Sequence, residues 1–267
     1  MNIVKPRQSL GQNFLIDDNI ARNIIRELHL SPDDVVIEIG PGHGALTRHL
    51  AGQTRHLVAM EIDGRVIGEL KTEFSSQGVE ILHQDFLEAD LQALSSHYRR
   101  RIRIVGNIPY HLTSPILFKV FEESRAVQDI TMMVQREVAQ RIVAGPGSKA
   151  YGILSVVSRL YGEPKQLFRV TPHCFYPKPK VTSTVVQLTL HDGLHRDIDV
   201  ELFRNIVRTT FGKRRKTLRN GLKYLPYDED VVERIISETT IDLDQRPEEL
   251  TVENFIGLTK EIQQIVT

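Results

Sequence analysis

Hydrophobic and polar positions follow two alternating patterns along the chain from Asp34 onward. Short apolar runs, typical of buried parallel strands, alternate with stretches in which apolar residues have helical spacing. The predicted strands are 35–39, 56–62, 79–83, 102–105 and 130–134, and the predicted helices are 45–51, 65–74 and 114–123. This alternation predicts an α/β fold with a mostly parallel sheet, helices on both faces, and ligands bound at the carboxyl ends of the strands.

The pattern changes near the end of this region. Residues 182–190 alternate strictly between apolar and polar, which predicts an antiparallel strand at the edge of the sheet. Residues 191–195 are polar and contain Gly193, so we place a boundary there that divides the chain into residues 1–192 and 193–267. Beyond it, residues 202–211 and 252–262 have helical spacing, which predicts a small helical C-terminal domain.

Composition excludes several classes of protein. The single cysteine, Cys174, rules out a disulfide framework and a cysteine-rich metal site. No segment is apolar for the length that a membrane crossing needs, and the first ten residues lack the apolar core of a signal peptide. The histidines lack ligand spacing with acidic residues, so no metal is expected. We therefore expect a cytoplasmic protein that does not bind a membrane.

Positive charge is concentrated in one segment although the formal net charge is zero. Residues 204–223 are rich in Lys and Arg, whereas acidic residues dominate 228–253, so the two segments cancel in the total. The densest basic run contains Lys213, Arg214, Arg215 and Lys216, which we interpret as binding phosphates with salt-dependent affinity. The alternative is an ordinary solvated charged surface.

Three successive predicted strands end in residues suited to one nucleoside ligand. After Glu38 comes a loop with Gly40 and Gly42, where the missing Cβ atoms let the backbone turn sharply and approach a ligand. Glu61 ends the second strand and can accept hydrogen bonds from ribose hydroxyls, and Asp85 follows the third and can accept one from an adenine amine. Together they favour an adenosine-containing cofactor, although each alone also fits a tight turn or a solvated carboxylate. The glycine spacing differs from G-x-G-x-x-G, which argues against a nicotinamide cofactor.

The motif Asn107-Ile108-Pro109-Tyr110 follows the fourth strand and carries the most specific chemistry. Methylation of an aromatic amine is difficult because its lone pair is delocalised into the ring. The amide oxygen of Asn107 and a backbone carbonyl can accept both N–H bonds and localise the lone pair on nitrogen. Pro109 stiffens the turn, and Tyr110 can stack on a base that has been taken out of its helical stack. The alternative is an Asx-type turn without a catalytic role.

Two further segments are suited to cover such a site. In the loop 175–181, two prolines fix an extended backbone, Phe175 can cover the other face of the base, and Lys178 and Lys180 can contact phosphates. The alternative is a stiff connector into the next strand. Residues 5–15 form a polar arm with an apolar end that can fold over the cofactor, the alternative being a disordered terminus. Asp63 is interpreted as a helix cap or a surface group.

As a set, these motifs resemble the small-subunit ribosomal RNA adenine dimethyltransferases of the KsgA/RsmA type. The resemblance extends from the Gln-Ser-Leu-Gly-Gln-Asn-Phe-Leu segment near the start to Arg246-Pro247-Glu248-Glu249-Leu250, and so covers nearly the whole chain. It implies a class I methyltransferase fold and S-adenosylmethionine as the cofactor. It also implies N6,N6-dimethylation of two adjacent adenosines in a hairpin loop near the 3′ end of small-subunit (16S) ribosomal RNA.

The resemblance also implies roles for individual residues and a partner. Asn13 and Leu15 contact the methionine end of the cofactor, Gly40 lies against it, and Asn107 lies where cofactor and target base meet. Glu61 binds the ribose, Asp85 binds the adenine, and Tyr110 and Phe175 are similar to the family's base-stacking pair. We expect a monomer that acts on an immature 30S particle in ribosome biogenesis.

Two alternatives remain open at the level of sequence. One is a related enzyme that methylates large-subunit RNA and gives antibiotic resistance, against which the C-terminal domain and the Phe175 loop argue. The other is an assembly or RNA-binding factor of the same fold that has lost catalysis. The intact motif from Asn107 to Tyr110 argues against that alternative.

Overall fold

The computed structural model describes residues 5–7, 10–193, 196–212 and 216–266. The chain divides into two compact units. Unit 1 comprises Met1–Ala139 with Lys165–Leu190, and unit 2 comprises Gln140–Pro164 with His191–Thr267. Helix α6 (Arg136–Val143) contains the point at which the chain first passes from unit 1 to unit 2.

A seven-stranded sheet forms the framework of unit 1. In spatial order its strands are β4 (Val79–His83), β3 (His56–Glu61), β2 (Val35–Ile39), β5 (Ile102–Asn107), β6 (Val127–Gln135), β9 (Ser183–Leu190) and β7 (Gly162–Val170). The strands from β4 to β6 are all parallel, and β9 is antiparallel to β6. Every residue of β2 is buried, as expected for a central strand of a parallel sheet. The parallel sheet predicted from the alternating pattern is confirmed.

The prediction for the sheet edge was wrong in one respect. Strand β9 is antiparallel, but it lies between β6 and β7, so β7 forms the edge. Strand β7 contains Pro164 and several exposed polar residues, and therefore has no regular apolar alternation to reveal it. Proline and charged side chains are tolerated at an edge because one side of the strand has no partner to hydrogen-bond.

The helices of unit 1 are α1 (Asp18–Leu28), α2 (Thr47–Leu50), α3 (Gly64–Phe74), α4 (Leu91–Tyr98) and α5 (Thr113–Glu122). Three of them begin at an aspartate that caps the first turn. Asp17, Asp63 and Asp90 cap α1, α3 and α4 by accepting backbone N–H bonds of the first turn. Because α3 starts directly after β3, its cap fixes the chain at the carboxyl end of that strand.

A separate two-stranded ribbon holds the N-terminal arm. Strand β1 (Phe14–Leu15) pairs antiparallel with β8 (Phe175–Tyr176), and the amide of Ile16 donates to the carbonyl oxygen of Cys174 at 2.9 Å. The arm and the loop 175–181, which the sequence analysis treated as separate segments, are thus joined through backbone hydrogen bonds.

Unit 2 is helical. Its helices are α7 (Ile153–Tyr161), α8 (Val200–Phe211), α9 (Leu218–Leu222), α10 (Glu229–Glu238) and α11 (Val252–Val266). Phe255 packs between Phe203 and Phe211, with ring centroids 6.4 and 5.9 Å away, and the hydroxyl of Tyr151 donates to the carbonyl oxygen of Leu250. The helices predicted over 202–211 and 252–262 are confirmed as α8 and α11. Among the helices of the described residues, none has the length and apolar character that crossing a membrane requires.

Candidate active site

A cleft of about 220 Å³ opens at the carboxyl ends of the parallel strands β2, β3, β4 and β5. Ligands of open α/β sheets bind at this edge. The cleft brings together nine of the residues selected from the sequence: Asn13, Gly40, Gly42, Glu61, Asp85, Asn107, Ile108, Pro109 and Tyr110. The described residues include no cluster of three or more His, Cys, Asp or Glu side chains suited to a metal ion.

The glycine loop after β2 has a backbone that other residues adopt only with strain. Gly40 and Gly42 have φ values of 61° and 56°, in the left-handed region. A Cβ atom on Gly42 would lie 2.9 Å from the ring of Phe14. The loop can therefore pass directly beneath the N-terminal arm only because Gly42 has no side chain.

Glu61 is buried at the end of β3 with hydrogen-bond donors from the backbone. Its Oε2 accepts from the Gly42 amide at 3.0 Å, and its Oε1 accepts from the Asp63 amide at 2.8 Å. Burial raises the pKa of Glu61, while these amide donors oppose that rise. Within the described residues, no Lys or Arg pairs with this carboxylate.

Glu38 lies deeper, on β2, and is only 1% exposed. The hydroxyl of Thr47 donates to its Oε2 at 2.7 Å. Burial raises the pKa of Glu38 to about 7, and the nearby charge of Glu61 adds to that rise. Among the residues that the structure describes, neither of these two carboxyl groups beneath the glycine loop has a cationic partner.

Asp85 begins the turn that follows β4. Its Oδ1 accepts from the amide of Leu87 at 2.9 Å, which fixes the direction of the carboxylate. The Oδ2 atom has no recorded partner among the described residues. The neighbouring ring of Phe86 is buried and contributes to the wall of the cleft.

Asn107 ends β5 and is oriented by the N-terminal arm. Its Nδ2 donates to the carbonyl oxygen of Asn13 at 2.7 Å. Because a backbone carbonyl can only accept, this bond requires the amide nitrogen of Asn107 to face the arm, leaving Oδ1 as the acceptor on its other side. The oxygen that the sequence analysis selected for its chemistry is thereby held in one orientation.

Tyr110 begins a short 3₁₀ turn after β5, and its side chain is held by a residue of strand β9. Its hydroxyl lies 2.8 Å from Oγ of Ser183, the first residue of β9. Burial raises the pKa of Tyr110, so the ring remains a neutral phenol at physiological pH. Ser183 had no sequence signal because its contact depends on how β9 pairs within the sheet.

A cluster that the sequence analysis missed ties the arm to the end of β3. Gln12 donates from Nε2 to Asp63 Oδ2 at 3.0 Å and accepts the Arg7 amide at 2.8 Å. Arg65 donates from Nε to Asp63 at 2.8 Å and from Nη1 to the Lys5 carbonyl at 3.2 Å. Asp63 is a helix cap, as predicted, but it is buried and not a surface group. The Arg65 guanidinium and the Gln12 amide hold the pKa of Asp63 well below its usual range.

Several predicted residues do not line this cleft. Leu15 and Phe175 are neighbours across the β1–β8 ribbon and belong to a buried apolar cluster, where Phe175 is only 2% exposed. Leu15 instead lines a small adjoining cavity together with Gly40 and Asn107. Lys178, Lys180 and Lys216 are exposed. The predicted residues Lys213, Arg214 and Arg215 lie outside the described residues.

Comparison with known proteins agrees with the geometry of the cleft. The family profile described as "Ribosomal RNA adenine dimethylase" matches residues 3–264 of this chain. The chain belongs to the ribosomal RNA adenine dimethylase family. One relative in this family is Ribosomal RNA small subunit methyltransferase A of Chlorobium phaeobacteroides, 44% identical over 97% of this chain and 94% of its own. The protein of the same name from Alkaliphilus oremlandii is 41% identical over 93% of this chain and 88% of its own.

Solved structures show the same fold. The crystal structure of a dimethyladenosine transferase from Plasmodium falciparum is similar with a TM-score of 0.80 at 24% identity, covering 95% of this chain and 98% of its own. The 23S rRNA methyltransferase ErmE is similar with a TM-score of 0.70 at 26% identity, covering 94% of this chain and all of its own (100%). The protein therefore has the class I methyltransferase fold that the sequence predicted.

Proposed function

We propose that this protein transfers methyl groups from S-adenosylmethionine to N6 of two adjacent adenosines in a hairpin loop near the 3′ end of small-subunit (16S) ribosomal RNA. The observation that carries the proposal is the fixed amide of Asn107, whose Nδ2 is bonded to the Asn13 carbonyl. This bond leaves Oδ1 of Asn107 as an oriented hydrogen-bond acceptor at the carboxyl end of β5. The chain belongs to a family of ribosomal RNA adenine dimethylases, whose reaction needs such an acceptor at the target amine.

The residues of the cleft fit S-adenosylmethionine, which supplies an electrophilic methyl group on a sulfonium. Glu61 is a buried carboxylate that has no cationic partner among the described residues, and its oxygens are suited to accept hydrogen bonds from ribose hydroxyls. The Oδ2 atom of Asp85 likewise has no partner in the described part of the chain and suits an adenine amine. The methionine end would lie against Gly40 and Asn13, with Leu15 supporting them from the adjoining cavity.

The motif after β5 acts on the target adenine. The Oδ1 of Asn107 and the backbone carbonyl of Ile108 would accept hydrogen bonds from the amine, which would localise the nitrogen lone pair and direct it at the methyl group. As the N–C bond forms, the bond between the methyl carbon and sulfur would break, the sulfur would leave as a neutral thioether, and one amine proton would pass to water. Tyr110 stacks on the base, and Pro109 holds the turn rigid. No strong general base is required, because the amine proton becomes acidic as the N–C bond forms. The protein contributes mainly orientation and polarisation.

RNA recognition would depend on basic side chains outside the cleft. We assign catalysis to residues 1–192 and recognition of the RNA to residues 193–267. Exposed Lys178, Lys180 and Lys216 are suited to contact phosphates, and the sequence run Lys213–Arg215 extends the same charge. We further propose that the protein acts as a monomer on an immature 30S particle in the cytoplasm and also serves ribosome assembly.

The proposal is tested by supplying S-adenosylmethionine with a labelled methyl group to small ribosomal subunits that lack the modification. Mass spectrometry of the digested RNA is expected to find dimethyladenosine at two neighbouring positions near the 3′ end. Label in large-subunit RNA alone would contradict the assignment and favour the resistance-type activity. Tight binding of both cofactor and particle without any label would indicate a non-catalytic assembly factor.

A further inference from the structure

A second, more open cleft of about 570 Å³ adjoins the first. The two clefts share a wall that is formed by Gly11, Gln12, Asn13, Tyr110 and His111. The outer wall of the second cleft is formed by Lys5, Pro6, Tyr176 and Pro177. A ligand in the first cleft that extends outward past Tyr110 therefore enters the second.

Tyr176 faces the second cleft because of strand geometry. Successive side chains of a strand point to opposite sides, so within β8 only one of Phe175 and Tyr176 can enter the core. Phe175 does so and packs with Leu15, while Tyr176 is 57% exposed. The exposed aromatic ring at this cleft is thus that of Tyr176, which the sequence analysis did not select.

Two other side chains give this cleft the character of a nucleotide subsite. The ring of His111 is exposed and packs over Gly11, where a Cβ atom would come within 3.0 Å of it. Lys5 is exposed at the rim, and its backbone is held by the bond from Arg65 to its carbonyl oxygen. Aromatic faces beside a cation are the combination with which proteins bind unpaired nucleotides.

We propose that Tyr176, His111 and Lys5 form a subsite for the nucleotide adjacent to the target adenine. This inference rests on the proposed function and deepens it. The base of the adjacent nucleotide stacks on the Tyr176 ring, and Lys5 neutralises a neighbouring phosphate. Since the two adenosines are adjacent, one of them occupies this subsite, next to Tyr110, while the other is in the transfer site.

The test compares Tyr176→Ala, Tyr176→Phe and Tyr176→Leu in the full-length protein, with unmodified small subunits as the substrate. Tyr98→Ala is the control, because Tyr98 is a partly exposed tyrosine on α4 that lines neither cleft and lies outside residues 193–267. The measurements are the KM for subunits, the Kd for S-adenosylmethionine and the distribution of methyl groups over the two adenosines. The Leu variant keeps an apolar side chain on β8 should the Ala variant fail to fold.

Loss of one stacked base is expected to raise the KM of the Ala and Leu variants by about 5-fold or more, from the ~1–3 kcal/mol that each stacked base contributes. The Phe variant keeps the ring, so its KM should stay within about twofold of the parent value, as should the KM of Tyr98→Ala. The Kd for the cofactor should not change. Lys5→Ala is expected to reduce the slope of log affinity against log salt by about one phosphate contact.

Three outcomes would overturn the subsite. They are an unchanged KM and methyl distribution in both Tyr176→Ala and Tyr176→Leu, an equal rise of KM in Tyr176→Phe, and a salt slope that Lys5→Ala leaves unchanged. These results are distinguishable from failure of the proposed function, in which the parent protein itself transfers no methyl group to small subunits.

Discussion

Buried charged side chains lie at both ends of the parallel strands, around Arg103 at the amino-terminal end and around Glu38 and Glu61 at the carboxyl end. At the amino-terminal end, Arg103 donates to Asp129 Oδ2 at 2.7 Å and to Asp34 Oδ2 at 2.9 Å. Its guanidinium also donates to the carbonyl oxygen of Leu28. Burial disfavours the charged guanidinium, but the hydrogen bonds and charges of these carboxylates outweigh it and raise the pKa of Arg103.

The carboxyl end shows the opposite arrangement. Glu38 and Glu61 are as deeply buried, yet their partners are a hydroxyl and backbone amides and include no cation among the described residues. Burial raises the pKa of both. The members of the amino-terminal cluster neutralise one another, whereas Glu61 is a buried carboxylate in the wall of a cleft with no cation beside it among the described residues. The comparison thus distinguishes charges that are paired within the fold from a carboxylate that is suited to a ligand.

The largest expected effect is on stability, from breaking the amino-terminal cluster. Arg103→Ala leaves Asp129 buried without its cation and is expected to lower the free energy of unfolding by about 3–5 kcal/mol. Arg55→Ala is the control, because its ion pair with Asp33 is exposed and such pairs contribute ~0–1 kcal/mol. Urea denaturation measures both, and a loss of less than about 1 kcal/mol for Arg103→Ala would show that the cluster does not stabilise the fold.

The second prediction concerns Glu38, whose titration should make the free energy of unfolding depend on pH. Its folded-state pKa of about 7 lies above the ordinary value of 4.5, so the folded state binds the proton more tightly than the unfolded state. Its contribution to stability is therefore largest at low pH and is lost as the pH rises from 4.5 through 7, by roughly 3 kcal/mol in total.

Glu38→Gln keeps an oxygen that can accept from Thr47 and removes this titration. The variant is expected to be more stable than the parent at pH 8 and to differ little from it at pH 5, as measured by denaturation at both pH values. If the free energy of unfolding of the variant differs from that of the parent by the same amount at pH 5 and at pH 8, Glu38 does not titrate in this range.

The smallest expected effect is on the affinity for the cofactor, from loosening the N-terminal arm where Gln12 bonds to Asp63. Gln12→Ala removes the bond to Asp63, and a hydrogen bond of this kind contributes ~0.5–1.5 kcal/mol, so the Kd for S-adenosylmethionine should rise about 2- to 10-fold. Isothermal titration calorimetry measures the Kd, and Gln77→Ala, which changes an exposed glutamine on the surface, serves as the control. An unchanged Kd for Gln12→Ala would mean that the arm does not contribute to cofactor binding.

Features that follow from the order of strands and helices could be predicted from the sequence, whereas contacts between residues far apart along the chain could not. Gly40, Glu61, Asp85 and Asn107 were found because parallel strands bring their carboxyl ends to one edge of the sheet, whatever the details of packing. Contacts between distant segments had no such signal, and the bond between Gln12 and Asp63 spans 51 positions of the chain.

Two other features depended on details of strand pairing. Strand β7 was missed because an edge strand needs no apolar alternation, and its Pro164 is a residue that only edge strands tolerate well. Phe175 was predicted at the target base because of its motif, but the structure places its side chain in the core and leaves Tyr176 exposed. A two-residue strand is too short for its inward and outward positions to be read from the sequence.

The central claim is that Asn107 acts on the target amine whereas Glu61 holds the cofactor, and paired measurements on Asn107→Ala and Glu61→Ala test it most directly. Single-turnover transfer of a labelled methyl group and the Kd for S-adenosylmethionine would be measured for each variant. For Asn107→Ala we predict that transfer falls by about 10²–10³-fold, the usual effect of removing one polar group that stabilises the transition state. Its Kd should rise less than that of Glu61→Ala, because only the neutral hydrogen bond to the Asn13 carbonyl is lost from the arm. For Glu61→Ala we predict that the Kd itself rises, by roughly 10-fold or more for a charged hydrogen-bond acceptor. Equal loss of cofactor affinity in the two variants would contradict the account.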